Sequence, residues 1–211
     1  MDKKELRKDP IREKIFSLLS YVENNRNALY GIVAVVIGAI LIGSYISTTT
    51  KQLNERSSLS FGKAINSSVG GNVESSIPVF SELMDSGSDA AAGNSLAYML
   101  DYYITKDDLF KVDSLLNLGI RISDDILLSK IMILRGDISS DRMEYDDALS
   151  FYNEAGELNT TLKNRMDYKR ATIYYQLEDF DKSREIAEDL LEIEDLPYDV
   201  KNQCQKHISM I

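Results

Sequence analysis

The sequence has few of the residue types that form active sites and metal centres. Its one histidine, His207, excludes the H-E-x-x-H zinc motif and any site built from several histidines. Its one cysteine, Cys204, excludes a disulfide framework within the chain, so the fold must rest on packing. None of the eleven glycines belongs to a dinucleotide fingerprint, a P-loop or a G-x-S-x-G elbow. We therefore predict no catalytic, cofactor-binding or metal-binding residues, and we expect a protein that is not an enzyme.

Positive charge is scarce in most of the chain. The net charge is −10 overall. Residues 51–211 carry seventeen Lys/Arg against twenty-nine Asp/Glu, a balance of −12, whereas residues 1–28 carry seven against five, a balance of +2. Because contacts to phosphates need Lys and Arg, this acidic balance argues against a nucleic-acid partner. The sequence gives no sign of a small-molecule substrate either.

Two patterns resemble reactive sites but have simpler explanations. Cys204 lies one helical turn from His207, but spacing alone does not make a nucleophile, and free cysteine is readily buried. We interpret Cys204 as a buried thiol in a terminal capping helix. Three aspartate pairs fall where helices are predicted to begin, where carboxylates bind free backbone amides, and none has EF-hand spacing. They are Asp107-Asp108, Asp124-Asp125 and Asp146-Asp147.

The longest apolar stretch is Leu29–Ile46, and no charged residue lies between Arg26 and Lys51. As a helix, this stretch would be roughly 27 Å long, close to the ~30 Å apolar core of a bilayer. A helix also satisfies every backbone amide within its own segment, which hydrocarbon requires. We predict a transmembrane helix over residues 29–47.

Basic residues flank this helix unevenly, which predicts its orientation. Seven precede it: Lys3, Lys4, Arg7, Lys8, Arg12, Lys14 and Arg26. The positive-inside rule then makes residues 1–28 a cytoplasmic lead-in and residues 48–211 a domain on the outer side. A cleaved signal peptide is the alternative. The apolar core exceeds the usual 7–15 residues, about 28 residues precede it, and no A-x-A-like site follows, so we favour the uncleaved anchor.

The lead-in has an amphipathic pattern of its own. Asp9-Pro10 suits a helix start, and Ile11, Ile15, Leu18 and Val22 then recur at helical spacing. The pattern fits an interfacial helix that leads into the membrane, and equally a lead-in that orders only in part.

Residues 48–211 alternate helical segments with short breaks and have no sustained period-two pattern, so we expect an all-α domain without strands. The first helix continues beyond the membrane span until Gly70-Gly71, and a second begins near Ser76 with Pro78 in its first turn. The later predicted helices are Ala90–Ile104, Asp107–Leu118, Asp124–Ile138, Tyr145–Leu158, Leu162–Leu177, Asp179–Ile193 and Tyr198–Met210.

A repeat emerges from the spacing of aromatic and small residues. Three aromatic residues lie at intervals of 35 positions: Phe110, Tyr145 and Phe180. Three positions after them come Asp113, Ala148 and Ser183, respectively. Nine positions before the last two aromatic residues come the small residues Gly136 and Ala171. One helix pair per period of about 34 residues predicts a tetratricopeptide-like α-solenoid of helix hairpins. A generic helical bundle is the alternative.

The best copy, Ile131–Leu158, resembles a tetratricopeptide unit at Gly136, Tyr145, Ala148, Tyr152 and Ala155. The whole layout also resembles a family. From about Ile11 to Ile193, a basic lead-in, YVENNRNALYG entering an apolar helix, and repeats containing LRGDI follow one another. This order is similar to the membrane-anchored tetratricopeptide-repeat family that includes YfgM, the ancillary subunit of the bacterial Sec translocon. The resemblance implies a bacterial inner-membrane protein with periplasmic repeats that contact the translocon and the periplasmic chaperones handling emerging polypeptides.

We expect a protein-binding surface on the concave side of the repeats, which the first helix of each pair lines. Its candidate residues are Lys130, Ile133, Asp137, Ser140, Arg165, Tyr168, Thr172 and Tyr175. Tyr and Arg are typical anchors of interfaces, but Tyr168 and Tyr175 alternatively pack between repeats. The leading hypothesis is a non-enzymatic periplasmic adaptor anchored beside the translocon. The alternative is a scaffold for another envelope machine, in cell division or secretion.

Overall fold

The computed structural model describes residues 14–17, 20–21, 25–71 and 73–211, and this part of the chain is helical with no strand. The expected all-α class is confirmed. The α-helices from residue 26 onward are α1 (Arg26–Val69), α2 (Val73–Ser86), α3 (Asp89–Thr105), α4 (Leu109–Leu116), α5 (Asp125–Asp141), α6 (Tyr145–Leu158), α7 (Lys163–Gln176), α8 (Phe180–Leu191) and α9 (Tyr198–Ile208). A 3₁₀ turn, Thr160–Leu162, precedes α7.

Most of the predicted lead-in falls outside this description. Residues 14–17 and 20–21 are helical, and Ile15 is exposed. The predicted start at Asp9-Pro10 and the stripe positions Ile11, Leu18 and Val22 lie outside the described residues.

The chain divides into two compact units, with the boundary between Gln52 and Leu53. In the first unit α1 presents its apolar side chains to the outside; Val35 is 72% exposed and Leu41 is 64% exposed. Within the described residues α1 is the one helix long and apolar enough to cross a membrane, and none of its apolar window is buried. It therefore differs from the core helix of a soluble protein, which neighbouring elements cover.

The second unit consists of helix hairpins. The last part of α1 packs on α2, where the rings of Phe61 and Phe80 lie 5.8 Å apart. The pairs α3–α4, α5–α6 and α7–α8 follow, and α9 packs against α7 and α8. Helix α1 ends at Val69 as predicted, but α2 begins three residues before the expected start near Ser76, so Pro78 lies inside the helix.

The same turn closes every hairpin. The residue with positive φ recurs at intervals of 36, 36 and 35 positions: Gly71, Asp107, Met143 and Glu178. In each turn the N–H of this residue donates to the carbonyl three positions back. In the last three turns the following N–H donates to the carbonyl five positions back, which completes a Schellman motif. The turn geometry thus repeats although only the first copy has the glycine that positive φ favours.

The packing between paired helices repeats in the same register. The fourth residue of each second helix is at most 2% exposed in every hairpin: Ser76, Val112, Ala148 and Ser183. The residue twelve positions earlier is buried in each first helix: Ala64, Leu100, Gly136 and Ala171. Two serines bridge the pair directly, because the Ser76 hydroxyl donates to the Ala64 carbonyl at 3.0 Å and the Ser183 hydroxyl to Ala171 at 2.8 Å. Four hairpins therefore share one register.

The predicted alignment of the second hairpin is wrong by one residue. Leu109, not Phe110, begins α4, so Val112 takes the buried position expected for Asp113. Phe110 is 81% exposed, and Asp113 instead forms an ion pair with Arg142. The first residues of α4 and α6, Leu109 and Tyr145, are 36 positions apart rather than 35. An alignment made on aromatic residues alone therefore takes Phe110 instead of Leu109 as the first residue of α4.

Candidate functional site

Asp137 is the centre of a polar network that joins three helices. The Tyr152 hydroxyl of α6 donates to Asp137 Oδ1 at 2.7 Å, and Lys169 Nζ of α7 donates to the same oxygen at 2.7 Å. The Lys169 ammonium also lies 5.3 Å from the centre of the Tyr152 ring. Burial, and then the hydrogen bond and charge of Asp137, raise the pKa of Tyr152 well above its usual value. The phenol therefore stays protonated as a donor, and the network fixes one hairpin to the first helix of the next.

Gly136 makes room for this network. A Cβ atom at position 136 would lie 2.5 Å from Cε1 of Tyr152. The tyrosine ring crosses α5 at a point where the helix has no side chain, and its hydroxyl reaches Asp137 one residue further on. Gly136, the small residue that marked this repeat in the sequence, thus leaves room for the Tyr152 ring and for close packing of the two helices.

The four predicted residues of α5 have different environments. Lys130 is exposed, and Ser140 is half-buried. Ile133 packs on the cluster that contains Ala148, while Asp137 belongs to the network above. The predicted face therefore combines one exposed cation with groups that neighbouring helices already contact.

Three of the four predicted residues of α7 contact α9. Arg165 forms an ion pair with Asp199 at 2.6 Å, and the Thr172 hydroxyl donates to a backbone carbonyl of its own helix. The Tyr168 and Tyr175 rings lie 5.9 and 5.4 Å from the ring of His207. Both tyrosines thus already use part of their ring surface within the fold, as the packing alternative describes.

His207 forms a buried hydrogen-bonded pair with Ser183. The Ser183 hydroxyl donates its single proton to the Ala171 carbonyl, so at 2.7 Å it accepts a hydrogen bond from His207 Nε2. The imidazole N–H is therefore the donor in this pair. Ser183 is 0% and His207 2% exposed, and burial lowers the pKa of His207. The pair joins α7, α8 and α9.

Cys204 lies in the same buried region. Its side chain is 0% exposed, and burial raises the pKa of its thiol. The interpretation of Cys204 as a buried residue is confirmed. The thiol is thus kept protonated, the form in which cysteine is a poor nucleophile.

The aspartate pairs cap helices in two of three cases. Asp108 Oδ1 accepts the Lys111 N–H at 3.1 Å, and Asp124 Oδ1 accepts the Leu127 N–H at 2.7 Å. Asp107 does not cap the start of α4; it occupies the positive-φ turn position after α3 instead. In the described residues no group of three His, Cys, Asp or Glu side chains is arranged to hold a metal ion.

Sequence reasoning did not identify Lys169, Asp199 or the role of His207. The partners Asp137 and Lys169 are 32 residues apart on different helices, and no short motif marks such a pair. Only a repeat register that places α7 beside α5 would reveal it.

The fold and this surface define the chain in coarse terms. Its described residues are helical, and their first long helix, α1, is long and apolar enough to span a membrane. The end of α1 forms the first of four hairpins in one register with α2, and the terminal helix α9 follows the last hairpin. No protein-family model matches the chain, and no curated protein matches its sequence.

Proposed function

We propose that the chain is a non-enzymatic, single-pass inner-membrane adaptor whose tetratricopeptide-like repeats bind proteins in the periplasm. Its partners in this proposal are subunits of the Sec translocon, periplasmic chaperones or emerging polypeptides. This function is the one that the family resemblance of the sequence implies, and we propose it for the whole chain.

The shared register of the four hairpins is the observation that supports this proposal most. Stacked helix pairs with a period near 34–36 residues are typical of arrays that bind other proteins along an extended surface. Such arrays need no deep cavity, and polar links such as Asp137–Lys169 keep adjacent hairpins in a fixed arrangement. A rigid surface binds with less loss of conformational entropy.

The apolar part of α1 supports the membrane anchor. Exposure of apolar side chains such as Val35 and Leu41 to water is unfavourable in free energy, and insertion into a bilayer would remove that exposure. Basic residues before the helix favour a cytoplasmic N-terminus. An anchor also raises the effective concentration of the repeats near a membrane-bound partner, so modest affinity would suffice.

Site-specific photocrosslinking in intact bacteria tests the function. A photoreactive amino acid replaces Lys130, which is exposed on the predicted face, and in a second strain Lys201, which is exposed on α9. We expect the first position to give adducts with translocon subunits, chaperones or nascent chains, and the second to give fewer. Adducts with division or secretion proteins would support the scaffold alternative instead, and adducts with none of these would contradict the proposal.

A further inference from the structure

Exposed apolar side chains gather where the turn of the second hairpin lies beside the turn of the third. We call Leu109, Phe110, Ile138 and Met143 the turn patch. Phe110 is 81% exposed, Met143 is 75% exposed and Leu109 is 55% exposed. Leu109 and Ile138 line a cavity of about 200 Å³ between α4 and α5. We call this cavity the notch. Phe110 and Met143 each follow one of its lining residues directly in sequence.

An ion pair holds the two sides of the notch together. Asp113 of α4 pairs with Arg142, which follows α5. Phe110 lies one helical turn before Asp113, and Met143 follows Arg142 directly in sequence. Phe110 and Met143 thus belong to the two segments that this ion pair joins.

The repeat itself does not require apolar residues at these two positions. In the third and fourth hairpins the equivalents of Phe110 are Asp146 and Asp181, both exposed. The equivalents of Met143 in the second and fourth hairpins are Asp107 and Glu178, which adopt the same positive φ. Since charged residues occupy the same structural positions elsewhere, the fold does not require apolar side chains here. A positive φ is also unfavourable for methionine.

The surroundings of the patch are acidic. Residues 106–113 and 141–147 together contain seven Asp/Glu and three Lys/Arg. Of the three cations, Arg142 is paired with Asp113, Lys106 lies 5.8 Å from the ring centre of Tyr102, and Lys111 is exposed. Asp141 lines the notch itself. An apolar centre with an acidic border is complementary to a segment that has apolar and basic residues.

We propose that the turn patch is a docking site for a basic amphipathic segment of a partner protein. An apolar side chain of that segment would enter the notch between Phe110 and Met143, and Lys or Arg side chains would face Asp141 and Glu144. A second copy of this chain fits less well, because its own acidic border would repel the first. This inference deepens the proposed adaptor function and rests on it.

A binding measurement with a defined peptide tests the site. The full-length protein is placed in nanodiscs of zwitterionic lipid, and the probe is a short fluorescent peptide with Leu at helical spacing and Lys elsewhere. We expect it to bind more tightly than the matched Leu/Glu peptide, after subtraction of binding to empty nanodiscs. The Phe110→Ser/Met143→Ser variant should weaken binding by about tenfold or more, as expected for loss of central apolar anchors. Since both residues are exposed, circular dichroism should show an unchanged fold.

A matched control removes an exposed aromatic residue and an exposed methionine elsewhere. Tyr198 is 78% exposed and Met210 is 53% exposed. The Tyr198→Ser/Met210→Ser variant should bind the Leu/Lys peptide within twofold of the wild type. Equal loss in both variants, equal binding of the Leu/Glu peptide, or no specific binding would overturn the proposal. A dimer that Phe110→Ser dissociates would overturn it too, in favour of a second copy as the occupant.

The failure of this site and the failure of the adaptor function are distinguishable. If photocrosslinking from Lys130 captures translocon or chaperone proteins while the peptide ignores the turn patch, only the docking proposal fails. If photocrosslinking captures none of these proteins and the peptide does not bind the turn patch, both the docking proposal and the adaptor function fail.

Discussion

Gly136 shows how a single missing side chain positions a network. The Tyr152 ring occupies the space that a Cβ at position 136 would need, at 2.5 Å from Cε1. Because this contact is far shorter than packing allows, the ring or the helix would have to move. The same movement would displace the Tyr152 hydroxyl from Asp137 and loosen the link to Lys169.

We therefore expect Gly136→Ala to lower the free energy of unfolding by about 1–3 kcal/mol, the usual cost of overpacking. The matched control is Gly62→Ala, because a Cβ there meets nothing within 4 Å and the site is inside α1. That change should be neutral or stabilising by up to about 1 kcal/mol through helix propensity. Urea titration of the full-length protein in detergent, followed by circular dichroism, compares them. An equal effect of both substitutions would contradict the proposed close contact.

His207 makes stability depend on pH in a defined direction. Burial lowers its pKa in the folded protein below the value of 6.5 that an exposed histidine has. As the pH falls below about 6.5, the unfolded chain gains a proton that the folded chain does not, so stability falls. Above that pH the histidine is neutral in both states and contributes no slope.

We expect unfolding midpoints in urea to decrease between pH 7.5 and 5.5 for the wild type and to change less for His207→Asn. The slope is the relevant quantity, because the variant also loses the contact with Ser183 and has a lower stability at every pH. An equal slope in both proteins would show that another group is responsible.

At the scale of elements, one buried hydroxyl links α9 to the two helices that it packs against. Ser183 accepts the His207 Nε2 proton and donates to the Ala171 carbonyl, so it joins three helices. Its equivalent Ser76 makes the corresponding bond to Ala64 in the first hairpin, which does not include α9. The single cysteine of the chain, Cys204, is buried in α9 and reports whether that helix is docked.

We expect a maleimide to label Cys204 slowly in the native protein and about 5- to 100-fold faster in Ser183→Ala. The variant leaves a buried imidazole N–H without its partner, which costs about 1–3 kcal/mol and favours transient undocking of α9. Ser76→Ala is the matched control and should leave the labelling rate unchanged. Unchanged labelling in Ser183→Ala would show that this hydroxyl does not hold α9.

Local patterns predicted most helices but not how they pack. The bounds of α6, Tyr145–Leu158, follow from the aromatic start and the small residue three positions later, and the structure has the same bounds. The register of α4 was missed because its repeat is one residue longer and its aromatic residue faces outward. The Asp137–Lys169 link and the turn patch depend on which hairpins are neighbours, which no short segment of sequence encodes.

At the scale of the whole molecule, the proposed function depends on which side of the membrane carries the repeats. The positive-inside rule predicts the orientation from the basic residues near the ends of the apolar helix. The register of the hairpins gives no information about that orientation. An adaptor for the translocon and periplasmic chaperones needs residues 48–211 outside the cytoplasm. Orientation is therefore the property on which the account depends most.

Thiol labelling in cells measures this orientation directly. The native Cys204 is replaced by Ser, and Lys201, exposed on α9, by Cys, so that one accessible thiol reports on the repeats. The protein should remain with the membrane fraction, and a membrane-impermeant maleimide should label it in spheroplasts without lysis. Labelling only after the membrane is disrupted, or recovery of the protein in the soluble fraction, would contradict the account.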